Sequence, residues 1–289
     1  MKKTEDIMLQ LVGRALFGVP ADFDPADTDW EDLCAECMNQ ALTLLIWDVL
    51  TDTERSHLPE AVSSRWEQAA MLQMMSNEQL LYEQEQVIRV LSDADIPCVI
   101  LKGSSSASCY PDPALRNMGD IDLLVEPEEQ LAAVHALQEY GYGDVLSEDH
   151  HCHMTLSRDA FTVEVHREPN GLFLNENRES LRKIRDYLDD AVARRQYVNG
   201  LPFPADDQQA AILLLHKLEH FLTSGLGLRQ MCDWAVFVEK KLDTALWETL
   251  EPLLSEFGIL YFAGIITKAC VDYLGLPADS APWAAGYDS

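Results

Sequence analysis

Leu101-Lys102-Gly103-Ser104 closes an apolar run that begins at Cys98, and sixteen residues after the serine comes Asp120-Ile121-Asp122-Leu123-Leu124-Val125. The first segment reads as a short buried strand, Cys98 to Leu101, that breaks at a Gly-Ser turn and leads into a small-residue helix start, Ser104 to Tyr110. The second reads as another strand. Side chains alternate faces along a strand, so Asp120 and Asp122 point the same way while Ile121 and Leu123 point into a core. Two carboxylates side by side repel unless a cation lies between them, and a Gly-Ser turn offers backbone N–H groups to an anion.

Working outward, Pro127 to Tyr140 reads as a helix closed by Gly141-Tyr142-Gly143. His150–Leu156 and Phe161–His166 read as a hairpin about Ser157-Arg158-Asp159-Ala160. In its second strand Phe161, Val163 and Val165 share one face, and Thr162, Glu164 and His166 the other. Before Pro97 the chain has helical spacing: Ile7–Phe17, Trp30–Leu50 and Ala61–Leu91, with linkers at 18–25 and 52–59. After a mixed region to about residue 205, helices return at Asp206–Thr223, Leu228–Lys241 and Thr244–Leu274, the first ended by Ser224-Gly225-Leu226-Gly227. No repeat or low-complexity tract interrupts this order. The expected class is α+β: a helical region 1–95, a core with a small mixed sheet 96–205, and a helical region 206–289.

Composition narrows the function. The 289 residues carry 49 acidic and 21 basic side chains, a formal net charge of −28. Binding to a nucleic-acid backbone rests on Lys and Arg neutralising phosphates, so a nucleic-acid partner is not expected. A small nucleotide is still admissible, because a local cation cluster outweighs a distant, screened field. Seven cysteines, an odd number without regular spacing, fit reduced thiols and a cytoplasmic setting. No apolar run is long enough to span a membrane, and Met1-Lys2-Lys3-Thr4-Glu5-Asp6 has no signal-peptide core. The closing residues, Trp283 to Ser289, carry no obvious final element, as in a fragment.

Paired Asp carboxylates with phosphate oxygens suit Mg²⁺, which takes oxygen ligands in octahedral geometry. Metal ions of that kind hold a triphosphate and neutralise developing charge. Glu164, on the polar face of a later strand, supplies a third carboxylate that completes the set or accepts a proton. Gly103 lets the backbone approach a phosphate closely, and Ser104 adds a hydroxyl. Asp-x-Asp alone occurs on solvated strand edges and Gly-Ser alone is an ordinary turn. Ordered together, with a matching acidic strand downstream, they favour a site.

Gly-Ser, then Asp-x-Asp on a strand, then an acidic residue on a later strand resembles the DNA polymerase β-type nucleotidyltransferase superfamily. The fuller string Leu-Lys-Gly…Tyr-Pro-Asp-Pro…Arg…Gly-Asp-Ile-Asp-Leu-Leu-Val looks like its uncharacterised bacterial branch, over roughly residues 95–240. The resemblance implies a nucleotidyltransferase core flanked by helices. It also implies Asp120, Asp122 and Glu164 as catalytic metal ligands for Mg²⁺, in two ions, and Gly103-Ser104 as the phosphate turn. The gap from Ser104 to Asp120 is longer than in minimal members. The implied reaction moves a nucleoside monophosphate from an NTP to a small-molecule or protein acceptor. Alternatives are a protein-modifying, antitoxin-like enzyme and a catalytically silent nucleotide-binding module. Acceptor, preferred NTP and oligomeric state are not legible.

Secondary candidates are Lys102 and Arg116, for phosphate or acceptor contact, and His216, Lys217 and His220, on the helix starting near Asp206. His216 and His220 lie four apart on one helical face, as do Arg229 and Asp233, which read as an ordinary ion pair. In His150-His151-Cys152-His153 only alternate residues share a face, too few for tetrahedral zinc without help from elsewhere. Cys34 and Cys37 read as helix-packing thiols. Because neighbouring carboxylates repel, loss of the charge of Asp120 or Asp122 is expected to leave the fold intact.

Overall fold

A computed structural model describes residues 2–149, 153–169 and 179–288. It shows an α+β chain in which a small mixed sheet lies between two helical layers. The chain opens with α1 (Lys3–Phe17), α2 (Trp30–Asn39), α3 (Thr43–Val49), the single turn α4 (Asp52–Arg55) and the long α5 (Glu60–Asp93). The expected helix over Trp30–Leu50 is two helices. Ala41 adopts φ 57°, and the Leu42 N–H donates to the Cys37 carbonyl at 2.8 Å, which closes α2 and turns the chain.

From Pro97 come β1 (Cys98–Ile100), the four-residue α6 (Ser104–Ala107), β2 (Ile121–Val125), α7 (Gln130–Tyr140), β3 (Ser147–Asp149), β4 (His153–Arg158) and β5 (Phe161–His166). Asp159, with φ 53°, turns the β4–β5 hairpin. Strand order is β1-β2-β5-β4-β3, with β2 and β5 parallel and the other pairs antiparallel. Next come α8 (Glu179–Leu188) and a two-stranded ribbon of β6 (Gln196–Val198) and β7 (Leu201–Phe203). β3, β6 and β7 are three residues each, too short to leave a periodic signal.

The C-terminal layer holds α9 (Asp206–Thr223), α10 (Leu228–Lys241), α11 (Thr244–Phe257) and α12 (Leu260–Leu274). The last two form one run in the sequence reading. Gly258 separates them by taking φ 76°, a left-handed cap that L side chains rarely adopt. Trp283 of the closing segment stacks on Trp247 of α11, ring centroids 3.6 Å apart.

Alternation along the strands divides the interior. Cys98 and Ile100 join Ile121, Leu123, Val125, Val163 and Val165 in a core with Val87 and Leu91 of α5 and Leu137 of α7. Val99, Leu101 and Leu124 face the opposite way. They belong to a larger core in which α1, α2 and α3 pack with α9 through α12. The N-terminal helices and the C-terminal layer therefore share one interior. Cys34 and Cys37 are buried, unpaired thiols within it.

Parallel pairing sets Asp122 opposite Glu164, Ile121 opposite Val163 and Leu123 opposite Val165. Those four apolar side chains are fully buried. A one-residue slip would turn a strand's whole set to the other face, and each buried side chain contributes about 1.5–3 kcal/mol. Hydrophobic burial thereby fixes the register that brings the carboxylates together.

Candidate active site between the sheet and the C-terminal helices

Asp120, immediately before β2, with Asp122 on β2 and Glu164 on β5, presents carboxylate oxygens within 4.8 Å of one another. They emerge on the sheet face turned toward α9 and α10, where Asp120 and Asp122 border a cavity of about 200 Å³. Lys102, Gly103, Asp120 and Asp122 line one side of it; His216, Lys217 and His220 of α9 and Arg229 and Asp233 of α10 line the other. The structure thus gathers most of the sequence-derived candidates around one space.

Lys102 Nζ lies 2.9 Å from Asp122 Oδ1, giving the cation at the strand end the partner that burial demands. His166, two residues beyond Glu164 on the same strand face, places Nε2 3.1 Å from that same Oδ1 and 3.2 Å from Glu164 Oε2. Burial opposes a charge on Asp122, but Lys102 and His166 outweigh it and hold the carboxyl well below the usual range. Asp120 shifts the other way: the charge of Asp122, then burial, raises its pKa. For Lys102, burial favours the neutral amine, yet Asp122, Asp120 and Glu164 raise its pKa. Asp120 and Asp122 are therefore not equivalent. Loss of the Asp122 charge strands Lys102 and His166, so the two substitutions are not expected to be equally neutral for the fold.

Gly103 takes φ 66° and ψ −109°, and a Cβ there would stand 3.7 Å from the Asp120 carbonyl oxygen. The glycine lets β1 turn tightly against the start of β2. Ser104 is different. Its hydroxyl is buried, donates to Gln84 Oε1 at 3.0 Å and accepts from Gln84 Nε2 at 2.9 Å. The side chain fastens the turn to α5 and does not line the cavity.

Arg116 also lines the cavity, with its guanidinium engaged by Asp233. Its Nε donates to Asp233 Oδ1 at 2.8 Å and its Nη2 to Oδ2 at 2.7 Å, and Tyr110 Oη adds a third bond to Oδ1 at 2.9 Å. Arg116 and Asp233 are both buried. Burial alone would raise Asp233 and lower Arg116; the pair reverses both, holding Asp233 down and Arg116 up. The expected Arg229–Asp233 pair is replaced by this one, and Arg229 Nη1 instead donates to the Asn117 carbonyl at 3.1 Å. The long gap after Ser104 thus has a job. It carries Tyr110 and Arg116 across to α10, and buried Asn77 of α5 holds it with bonds to the carbonyls of Ala114 and Arg116, both 2.9 Å, and to the Met118 N–H at 3.2 Å.

The helical wall is cationic and partly desolvated. Lys217 is 1% exposed; its ammonium donates to the Leu213 carbonyl at 3.3 Å and lies 5.8 Å from the centre of the Trp234 ring. Among the described residues it has no carboxylate within ion-pair distance, and burial pushes its pKa down to about 8. The rings of His216 and His220 meet edge to face at 4.3 Å. Burial, with Lys102 and His220 adding to it, pushes His216 down to about 2, so its imidazole is neutral.

Residues without a sequence-derived role stand beside those with one. Gln84 and Asn77 give no local signal, since each acts on a partner at least 20 positions away, and the local signal of Asp233 points to Arg229 rather than to Arg116. His166 has a signal, its place on the Glu164 face. His153 also faces Glu164, Nε2 to Oε1 at 3.7 Å. His150, His151 and Cys152 of the His-His-Cys-His run lie outside the described residues.

A family model described as uncharacterised nucleotidyltransferase matches residues 26–275, and the chain belongs to that family. It is a transferase at that level. Comparison with curated proteins gives no match. No helix among the described residues is long and apolar enough to cross a membrane.

Proposed function

We propose that the chain is a Mg²⁺-dependent nucleotidyltransferase of the DNA polymerase β-type superfamily, in its uncharacterised bacterial branch. It moves a nucleoside monophosphate from an NTP to a small-molecule or protein acceptor in the cytoplasm. The observation that carries this reading is the convergence of three carboxylates, of which Asp120 and Asp122 line a cavity across from a desolvated lysine, an arginine and two histidines. A triphosphate and its counter-ions fit such a division.

The donor set fits Mg²⁺. All three ligands are carboxylate oxygens, and their mutual repulsion, visible in the raised pKa of Asp120, is only partly met by Lys102. Asp120, Asp122 and Glu164 would hold two ions, which when bound supply charge neutralisation to the triphosphate. In the transfer, the bond between the α-phosphorus and the pyrophosphate oxygen breaks while one to the acceptor oxygen forms. Pyrophosphate leaves, and Glu164 takes the acceptor's proton. Lys217 and Arg229 bind phosphate oxygens, and Gly103 lets the backbone close on them. Lys102 holds Asp122 in place, and His216 and His220 offer neutral imidazoles to the nucleotide or acceptor. Arg116 is already committed to Asp233 and leaves phosphate contact to the other cations.

A net charge of −28 favours an acceptor that is not a nucleic acid. Mass analysis after incubation with labelled NTPs, Mg²⁺ and cell extract tests the reading. We expect one extract component to gain a nucleotide with the wild-type protein and none with Asp120→Asn. Binding of NTP without any transfer would instead identify a silent nucleotide-binding module.

A further inference from the structure

We propose that His153, Glu164 and His166 form a second metal site, overlapping the all-carboxylate set at Glu164, that takes a divalent ion of the zinc class. β4 and β5 pair antiparallel with His153 directly opposite His166 and Thr155 opposite Glu164. Both imidazoles and the carboxylate therefore project from one patch of sheet. The two rings lie 4.8 Å apart at 43°, and the ligand atoms of all three residues fall within 4.8 Å of one another. The Glu164 carboxylate sits between the rings, Oε2 3.2 Å from His166 Nε2 and Oε1 3.7 Å from His153 Nε2. In a tetrahedral zinc centre with bonds of about 2.05 Å, neighbouring donor atoms stand about 3.3 Å apart. Both separations from the Glu164 carboxylate lie within a few tenths of an ångström of that value, and the three donors together span no more than 4.8 Å.

Chemistry at His166 points the same way. Its Nε2 faces two carboxylate oxygens, from Asp122 at 3.1 Å and from Glu164 at 3.2 Å. One ring proton cannot lie on both lines, whereas a cation bound to Nε2 attracts both oxygens. Asp122 is thereby placed to supply a fourth donor. The side chains of His153 and Glu164 are 19% and 22% exposed, which gives an ion a route in from solvent.

Donor type separates the two sets. Mg²⁺ selects oxygen ligands and sheds water reluctantly, while imidazole nitrogen suits zinc and its neighbours. Glu164 is common to both, so an ion held by the imidazoles changes the donors left to Asp120 and Asp122. Among the described residues no group bonds His166 Nδ1, the atom that in tightly held sites donates to an acceptor behind the ring. The expected ion is therefore an exchangeable one.

The site stands independently of nucleotidyl transfer, and metal alone tests it. Full-length protein stripped by chelator is titrated with Co²⁺, whose visible absorption reports nitrogen ligation and low coordination number. We expect one bound Co²⁺, displaced by an equimolar amount of Zn²⁺ and retained against about a thousandfold excess of Mg²⁺. His153→Ala should weaken Co²⁺ binding by about tenfold or more with an unchanged circular-dichroism spectrum, and Asp120→Asn by much less. Should His153→Ala fail to fold, His153→Gln takes its place. Absence of Co²⁺ binding to the folded wild type overturns the proposal. So does binding that survives loss of the His153 imidazole and disappears in Asp120→Asn, which would assign the ion to the three carboxylates.

Discussion

Asp233 and Asp122 are both buried aspartates paired with a cation, and they are built to opposite ends. Asp233 uses both oxygens on the Arg116 fork and receives the Tyr110 hydroxyl as well. Each partner's side chain is 6–7% exposed, and both carboxylate oxygens are occupied by donors. Asp122 asks one oxygen, Oδ1, to serve Lys102 and His166, with Asp120 and Glu164 close by. The first pair is saturated and joins the loop before β2 to α10. The second stands among carboxylates that outnumber their lysine, and it is where a cation can be added or exchanged. Similar burial and distances conceal this contrast; the number of carboxylates gathered around each cation reveals it.

Breaking the saturated pair should give the largest effect. Asp233→Ala leaves the Arg116 guanidinium and the Tyr110 hydroxyl buried without their acceptor, and we expect a loss of about 3–5 kcal/mol in urea unfolding. A loss below about 1 kcal/mol would show that Asp233 is no clamp. Asp122→Asn removes one charge from a set rich in carboxylates but strands Lys102, so a smaller loss, about 1–3 kcal/mol, is expected together with loss of transfer.

Lys217 extends the comparison to a buried cation with no carboxylate at ion-pair distance among the described residues. Its pKa falls from 10.5 to about 8 in the folded chain, so at neutral pH the fold carries a charge it would stabilise itself by losing. Lys217→Met should therefore raise stability at pH 7, by on the order of 2 kcal/mol, while weakening NTP binding. The pH dependence has a definite sign. Between about pH 8 and 10.5 the unfolded chain still binds a proton that the folded chain has released, so this group makes stability rise with pH. Unfolding at about pH 7 and about pH 9.5 should show that contribution in the wild type and not in Lys217→Met. Asp233 and Asp122 act at the acid end. Both carboxyls lie below their usual 3.8 in the fold, so their stabilisation is complete above that pH and is lost as the pH falls further.

The smallest effect belongs to Asp120. Its raised pKa records repulsion from Asp122, so Asp120→Asn should add up to about 1 kcal/mol of stability while abolishing transfer. A clear destabilisation would mean that Asp120 is as firmly partnered as its neighbour, and the division between the two aspartates would close.

Alternation along Asp120 to Val125 and along Phe161 to His166 is legible in the residue types themselves, because every second side chain is one that burial favours. So is the helix–sheet–helix order. Two long helical runs hide their breaks, since Ala41 gives no hint of a left-handed turn and Gly258 is overshadowed by good spacing on either side. The Gly103 turn follows from its residue type, but the burial of the Ser104 hydroxyl against Gln84 does not.

Which side chains share a strand face is a property of the local sequence, and with it comes the chemistry presented on the floor of the cavity. A period of two is local, and the five apolar residues that β2 and β5 bury together enforce it. Who pairs with whom across long distances is settled only by packing. Arg116 reads as a phosphate ligand until Asp233, 117 residues later, is seen to hold it. His153 reads as part of a run of histidines until β5 sets Glu164 and His166 beside it. Pair energies depend on desolvation and on how many partners compete for one oxygen, and neither quantity exists until the chain is packed.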